Sequence, residues 1–159
     1  MYKRQARGRA FIERAIAAAA ALQQRVVVIT PFRDQLPLVL PAFVHYVAYA
    51  PFDALAPRVA VFVHHGGIGT SATVMAAGKP QLVVPFSYDQ PDNGMRLTRL
   101  GVGAMVKPDA PLHAWTAALS GLLNRPEVAA ACAALAAKLA YERPPAERIA
   151  DLIEALAME

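Results

Sequence analysis

A strand, a glycine-rich turn and the start of a helix follow one another in Val61-Phe62-Val63-His64-His65-Gly66-Gly67-Ile68-Gly69-Thr70-Ser71. A short β-branched and aromatic run is typical of a strand that is covered on both faces. Glycines let backbone N–H groups approach an anion closely, and the positive end of the helix dipole attracts it. The stretch predicts a phosphate-binding turn, with a plain tight turn as the alternative.

The residues after the last glycine narrow the kind of ligand. Thr70 and Ser71 are good N-cap residues, and their hydroxyls can donate hydrogen bonds to phosphate oxygens. No lysine follows Gly69, and the spacing of the glycines is not that of a dinucleotide-binding turn. A nicotinamide cofactor and an ATP-hydrolysing P-loop are therefore disfavoured.

Short apolar runs alternate with helical stretches on both sides of this turn. The predicted strands are Arg25–Thr30, Val44–Tyr49, Val59–Val63, Gln81–Phe86 and Gly103–Val106. The predicted helices are Phe11–Gln24, Ser71–Ala77, Asn93–Leu100, His113–Leu123, Glu127–Tyr141 and Pro145–Ala157. This alternation predicts an α/β fold with one doubly wound parallel sheet, followed by C-terminal helices.

Size and charge indicate a single domain that does not bind nucleic acid. A chain of 159 residues suffices for one core. The net charge of +4 comes from residues 1–9, which hold four of the 16 basic residues, while the remaining 12 face 12 acidic ones. We expect residues 1–9 to form a basic tail or a helix start, and residues 10–159 to form the binding domain. Nucleic-acid recognition requires a patterned basic face, which is lacking.

The chain is expected in the cytoplasm. Its single cysteine, Cys132, cannot form an internal disulfide and has no partners at zinc-binding spacing. The basic start before Ala15–Leu22 loosely resembles a signal peptide, but Glu13 and Arg14 interrupt the pattern. No apolar stretch approaches the roughly 20 residues that a membrane-spanning helix requires.

Further motifs accompany the glycine turn in a fixed order: Thr30-Pro31-Phe32, Tyr49-Ala50-Pro51-Phe52, Ala77–Gln81 and Asp89-Gln90-Pro91-Asp92-Asn93. With His-His-Gly-Gly-Ile-Gly-Thr, this series resembles the UDP-glycosyltransferase superfamily, which comprises inverting enzymes of the GT-B fold. The variant is similar to the bacterial natural-product and glycolipid members. The resemblance covers residues 10–125 and implies the Rossmann-like C-terminal half, which binds the sugar donor.

The resemblance also implies the roles of individual residues. His64 matches a histidine that contacts the donor diphosphate and stabilises it as the leaving group. Asp89 and Gln90 match the pair that binds hydroxyls of the transferred sugar, while Tyr49 and Pro51 lie where the family places the nucleobase. The other positions implied to bind the diphosphate are Gly66, Gly67, Gly69, Thr70 and Ser71.

The implied reaction transfers a hexose from a UDP-sugar or dTDP-sugar to a small hydroxylated acceptor. In the family, the general base and the acceptor pocket belong to an N-terminal half, so we expect this chain alone to be inactive. Phe52 stands where glutamine is common, and no acidic residue lies within Ser71–Ala77 to bind the ribose. The choice between UDP and dTDP therefore stays open.

No cofactor or metal is expected. His64 and His65 are adjacent at a strand end, so their side chains point in opposite directions, and no Asp-x-Asp pair lies near the turn. The alternatives in function are a truncated, non-catalytic nucleotide-binding module and a nucleotide-sugar epimerase of the same fold. Asp89-Gln90-Pro91 has a structural alternative as the capping segment of the next helix.

The first strand of the domain is apparently missing. Family domains begin with a strand that lies in the middle of the sheet, whereas this sequence enters directly at a helix. The remaining strands must then close the gap, borrow a partner strand or leave backbone groups unpaired.

Overall fold

The computed structural model describes residues 2–141 and 145–157 as an α/β fold with parallel strands, which confirms the predicted class. The strands are β1 (Val26–Ile29), β2 (Val44–Val47), β3 (Phe62–His64), β4 (Gln81–Val83) and β5 (Gly103–Met105). The helices are α1 (Tyr2–Ala21), α2 (Phe52–Leu55), α3 (Ile68–Ala76), α4 (Gln90–Arg99), α5 (Leu112–Asn124), α6 (Pro126–Tyr141) and α7 (Pro145–Ala157). Single turns of 3-10 helix span Arg33–Gln35 and Ala56–Arg58.

The expected single sheet is divided into two. β1 pairs only with β2, with Val26 opposite Val44, and β4 lies between β3 and β5 in a separate three-stranded sheet. In the part of the chain that the structure describes, no strand pairing joins β1 to β3. Among the described residues, the facing edges of β1 and β3 have no strand partner, which corresponds to the third predicted outcome, unpaired backbone groups.

A cavity of about 1490 Å³ lies between the two sheets. Residues of β1 and of β3 line it, and α1 lines it through Phe11, Ile12 and Ala15. Val26 and Thr30 donate their N–H groups to the β2 side of the first sheet. Because successive N–H groups of a strand point to opposite sides, those of Val27 and Ile29 face this cavity, while that of Val28 faces β2.

Helix α1 holds the two sheets together. Ile12 and Ile16 pack with Val28 and Val44 of the two-stranded sheet. Ala18, on another face of the same helix, packs in the cluster of buried residues Leu82, Val84, Trp115, Leu119 and Leu122. The alanine-rich sequence of α1 therefore serves two cores, since small side chains allow a helix to approach both neighbours closely.

The C-terminal helices behave differently from one another. Trp115 of α5 is fully buried against the three-stranded sheet, and Cys132 is the buried contact of α6. By contrast, α7 exposes apolar side chains along its length, Ile149, Leu152, Ile153 and Leu156. Pro126 and Pro145 are the first residues of α6 and α7, where the missing N–H has no intrahelical acceptor in any case.

Several predicted boundaries need correction. α1 begins at Tyr2 rather than Phe11, so the helix includes the basic residues of the expected tail. β3 begins at Phe62 rather than Val59, because the 3-10 turn Ala56–Arg58 directly precedes Val59 and delays the start of the strand. The division of the chain at residue 10 stays a prediction. Across residues 2–141 and 145–157, no helix is long and apolar enough to cross a membrane.

The open strand edges predict an alternating pattern of amide hydrogen exchange. The N–H groups of Val27, Ile29 and Val63 face the cavity, and we expect them to exchange at least about tenfold faster than those of Val28 and Phe62, which face neighbouring strands. Exchange followed by NMR at each residue measures the difference, and each strand carries its own control. Equal protection on both edges would contradict two separate sheets.

Candidate nucleotide-sugar site

Gly66 forces the glycine turn against the start of α4. Its φ of +92° lies in the left-handed region, which side chains disfavour. A Cβ atom at this position would lie 2.7 Å from Val83 Cγ1 and 3.1 Å from the carbonyl oxygen of Gln90. The turn after β3 and the first residue of α4 are thus in direct contact. Two motifs that are more than 20 residues apart in sequence therefore lie against each other.

The turn delivers the chain into α3 with its first amides unpaired within the helix. Gly67 is the N-cap residue, and the first intrahelical bond is donated by Ser71 to the Gly67 oxygen. The N–H groups of Ile68, Gly69 and Thr70 precede that bond, so they have no intrahelical acceptor. No side chain caps them, and the first turn holds no acidic residue. Unpaired amides of this kind, together with the helix dipole, are the groups that can attract an anion to a helix N-terminus.

The assignment of Thr70 and Ser71 as N-cap residues is wrong, because both lie inside α3. Thr70 is half-buried and lines the cavity, so its hydroxyl remains within reach of a bound anion. Ser71 is 1% exposed, and its Oγ has no hydrogen-bond partner among the described residues. Burial removes the Ser71 hydroxyl from the ligand side, where the sequence had placed it.

His64 is bonded at both ring nitrogens inside the protein. Gln81 donates from Nε2 to the Ser71 oxygen over 3.2 Å, which directs its Oε1 toward His64 Nε2 at 2.9 Å. His64 therefore donates from Nε2, and its Nδ1 accepts the Gly66 N–H at 3.1 Å. A neutral imidazole supplies one donor and one acceptor, which is what this arrangement needs.

Burial keeps this imidazole uncharged at neutral pH. It lowers the pKa of His64 from 6.5 to about 4, with the hydrogen bond to Gln81 opposing the shift and the charge of His65 adding to it. Protonation would also add a hydrogen to Nδ1, and that hydrogen would point at the Gly66 N–H, which Nδ1 now accepts. The expected direct contact between the His64 ring and a diphosphate does not agree with this geometry, because His64 is 6% exposed and both nitrogens are occupied.

The predicted sugar-binding pair lies at the start of α4. Gln90 Oε1 accepts hydrogen bonds from the N–H groups of Phe86, at 2.8 Å, and Ser87, at 3.2 Å. This fixes the loop after β4 and leaves the Gln90 amino group without a partner in the described structure. Asp89 occupies the N-cap position of α4, but its side chain makes no capping bond. Asp89 therefore lies where the alternative prediction of a capping segment placed it, but its carboxylate does not cap the helix.

Asn93 links the glycine turn to Asp89. Its Nδ2 donates to the Gly66 oxygen at 2.9 Å and to Asp89 Oδ2 at 2.8 Å. Both acceptors lack hydrogens, so the amide nitrogen, rather than its oxygen, must face them. Together with Gln81, Asn93 is a site residue that the sequence reasoning missed. For Asn93, the available signal was its spacing of four residues from Asp89 on a helix. For Gln81, the signal was a polar residue in a predicted buried strand.

The residues predicted to lie beside the nucleobase are further out. Tyr49 is 80% exposed, and Pro51 is also exposed, on the connection between β2 and α2. Neither lines the cavity between the sheets, whereas Phe52, His65, Thr70 and Gln90 do. The cavity therefore extends to the glycine turn. In the ranges 2–141 and 145–157, no group of three or more His, Cys, Asp or Glu side chains is placed to hold a metal ion.

Comparison with known proteins shows the family of the chain. Residues 13–156 match the family described as "Erythromycin biosynthesis protein CIII-like, C-terminal domain". The O-mycaminosyltylonolide 6-deoxyallosyltransferase of Streptomyces fradiae is 34% identical over 137 residues, which are 83% of this chain and 31% of the relative. The chain thus spans about a third of the length of that relative.

Solved structures place the fold in the same group. The spinosyn forosaminyltransferase SpnP superposes with a TM-score of 0.80 at 26% identity, covering 92% of this chain and 38% of that protein. The spinosyn rhamnosyltransferase SpnG complexed with thymidine diphosphate gives a TM-score of 0.78 at 28% identity, covering 90% and 40%.

Fold and site together define the C-terminal half of a GT-B glycosyltransferase of the UDP-glycosyltransferase superfamily. Within that class, the chain belongs to the erythromycin biosynthesis protein CIII-like C-terminal domain family, and its relatives include bacterial antibiotic glycosyltransferases.

The buried imidazole predicts a specific dependence of stability on pH. Because the pKa of His64 is lower in the folded state, the unfolded chain binds more protons, and stability falls as the pH drops from 6.5 toward about 4. The full effect is about 3 kcal/mol. The free energy of unfolding, measured in urea across this pH range, should lose this pH dependence in His64→Gln. The control His113→Gln, at an exposed position, should keep it. Equal slopes in the two variants would contradict the assignment.

Gly66 and Gly69 are expected to differ in how much stability the protein loses on substitution by alanine. Gly66→Ala introduces strain at positive φ and a clash with Val83, and should lower the free energy of unfolding by about 2–4 kcal/mol. At Gly69, no atom lies within 4 Å of the position that a Cβ would take, so Gly69→Ala should change the free energy of unfolding by less than about 1 kcal/mol. Denaturant titration of both variants tests this, and similar losses would refute the close approach at Gly66.

Proposed function

We propose that the chain binds the diphosphate of a nucleotide sugar at the N-terminus of α3 and the sugar at Asp89 and Gln90. It is then the donor-binding half of an inverting glycosyltransferase that transfers a hexose to a small hydroxylated acceptor. The observation that carries this proposal is the row of unpaired amides at Ile68, Gly69 and Thr70, held directly beside the start of α4.

The chemistry follows from where charge develops. When an acceptor hydroxyl attacks the anomeric carbon, the bond to the diphosphate breaks and negative charge grows on the leaving group. Fixed N–H donors aimed at that charge stabilise the transition state, typically by about 3 kcal/mol for each donor. The first turn of α3 lacks acidic residues, so no side chain competes with the anion.

The geometry supports a changed role for His64. A neutral ring with both nitrogens engaged cannot act as a cation on the leaving group. Instead, His64 holds the Gly66 N–H and thereby fixes the path of the turn. Gly66 and Gly67 provide the close approach, and Thr70 adds a hydroxyl donor at the edge of the cavity.

The sugar is bound by the groups that the protein leaves available at α4. Gln90 directs its carbonyl oxygen into the loop, so its amino group is the part that reaches a sugar hydroxyl. Asp89 is exposed, and among the described residues its carboxylate is engaged at Oδ2 alone, by Asn93. Its Oδ1 accepts hydrogen bonds from hydroxyls of the sugar.

The proposed nucleotide is dTDP or UDP. The similarity to SpnG, which was solved with thymidine diphosphate, favours dTDP. Phe52 in place of the usual glutamine and the lack of an acidic residue within Ser71–Ala77 also separate this chain from the common UDP-binding pattern. Tyr49 and Pro51 are the candidates for the nucleobase contact.

The acceptor site and the general base belong to the part of the relatives that this chain does not match. The chain covers 31% of the S. fradiae relative, which favours donor binding without turnover by this chain alone. A non-catalytic nucleotide-binding module is the second candidate, because the proposed diphosphate site on α3 needs no acceptor site to bind a nucleotide.

Calorimetry with dTDP and UDP, combined with one backbone substitution, tests the anion site. Ile68 is the first residue of α3 and is exposed, and Gly67 before it has the extended ψ of 138° that a following proline requires. Ile68→Pro therefore removes one N–H while retaining the helix. We expect about tenfold weaker nucleotide binding in Ile68→Pro than in the matched control Ile68→Ala, the loss of one charge-assisted hydrogen bond.

Three outcomes separate the hypotheses. Equal nucleotide affinity of Ile68→Pro and Ile68→Ala would show that the first amide of α3 does not bind the nucleotide. If the unmodified chain bound neither dTDP nor UDP, donor binding would be refuted. A glycosylation assay with a relative's N-terminal half supplied distinguishes the donor half of an enzyme from a binding module. Turnover by the chain alone would contradict the proposal that the general base and the acceptor site lie outside it.

A further inference from the structure

Asn93 stands at the junction between the two proposed halves of the donor site. It is half-buried in the first turn of α4, between the glycine turn and the Asp89 side chain. The backbone N–H of Asn93 donates to the Asp89 oxygen at 3.0 Å, which places the two side chains on the same face of the helix. Its side chain then spans from α4 to the turn after β3.

The two hydrogen bonds of this carboxamide act on different parts of the site. One reaches the Gly66 oxygen at 2.9 Å, and Gly66 is the residue whose own N–H is held by His64. The other reaches Asp89 Oδ2 at 2.8 Å. A single rigid group thus sets the separation between the turn that precedes α3 and the carboxylate that precedes α4.

Holding Asp89 in this way matters because its side chain is exposed. A free carboxylate would lose rotamer freedom on binding a ligand, and this loss would weaken the complex. Asn93 fixes that carboxylate before the ligand arrives and leaves its second oxygen available. The benefit goes to a ligand that reaches Asp89, and a ligand that ends at the diphosphate does not gain from it.

We propose that Asn93 is a positioning residue that gives the site its preference for a nucleotide sugar over the bare nucleoside diphosphate. The inference rests on the proposed donor-binding function. Asn93 itself is not required to touch the sugar. It acts through Asp89, with the glycine turn as its fixed anchor.

Binding of dTDP-glucose and of dTDP, measured by calorimetry on the full chain, tests this role. In Asn93→Ala, we expect dTDP-glucose to bind about tenfold more weakly, as for loss of a hydrogen bond to a charged group, while the affinity for dTDP changes less than about threefold. Asn93→Asp places a carboxylate opposite Asp89 and should lower the preference further. Asn124→Asp, at the end of α5, is the matched control and should leave both affinities unchanged.

The ratio of the two affinities separates positioning from a general structural role. If Asn93 only maintained the fold of the turn, both ligands would weaken equally and the ratio would stay constant, which would overturn the inference while leaving donor binding intact. Failure of the unmodified chain to bind either ligand would overturn the proposed function, and this inference with it. Asp89→Ala supplies a second check, because removing Asn93 in that background should no longer alter the ratio.

Discussion

The close approach of Gly66 to Val83 and to the carbonyl of Gln90 is the constraint on which the site depends. It requires a residue without a side chain, at a positive φ that other residues avoid. Because the turn is pressed against α4 in this way, the unpaired amides of α3 and the polar groups before α4 face one region of space.

Buried polar groups maintain this approach from both sides. His64 and Gln81 tie the turn to β4 and to the backbone of α3. Each side-chain nitrogen of these two residues makes a hydrogen bond, and one of the two hydrogens of the Gln81 amide is used. Asn93 ties the same turn to α4. A buried polar network is costly when it is half satisfied, so the matching of donors with acceptors around His64 indicates a group that keeps one protonation state. The imidazole serves the site by staying neutral.

The sequence was sufficient for the parts of the fold that depend on local pattern. Alternating apolar runs predicted the α/β class, and the glycine turn predicted the start of α3 to within a few residues. It was insufficient where an outcome depends on which acceptor lies nearby. Nothing in the sequence separates a histidine that faces a ligand from one that is bonded to Gln81, or a serine at a helix start from one turned into the core. Those distinctions arise from tertiary contacts between β3, β4 and α3.

The split between the sheets divides the proposed donor site unequally. The elements proposed to hold the diphosphate and the sugar, from β3 to α4, all belong to the three-stranded sheet and the helices beside it. Tyr49 and Pro51 instead lie on the connection that leaves β2, and α2 then packs on β3 through Phe52 and Phe62, whose ring centroids are 5.1 Å apart. The distance from the proposed nucleobase position to the proposed diphosphate position is therefore set by the packing of α2 on β3 and by α1, which joins the two cores. Among the described residues, no strand pairing joins the two sheets. In the proposed site, the base position therefore depends on how the segment after β2 packs on the three-stranded sheet, whereas the proposed sugar position lies within that sheet and its helices.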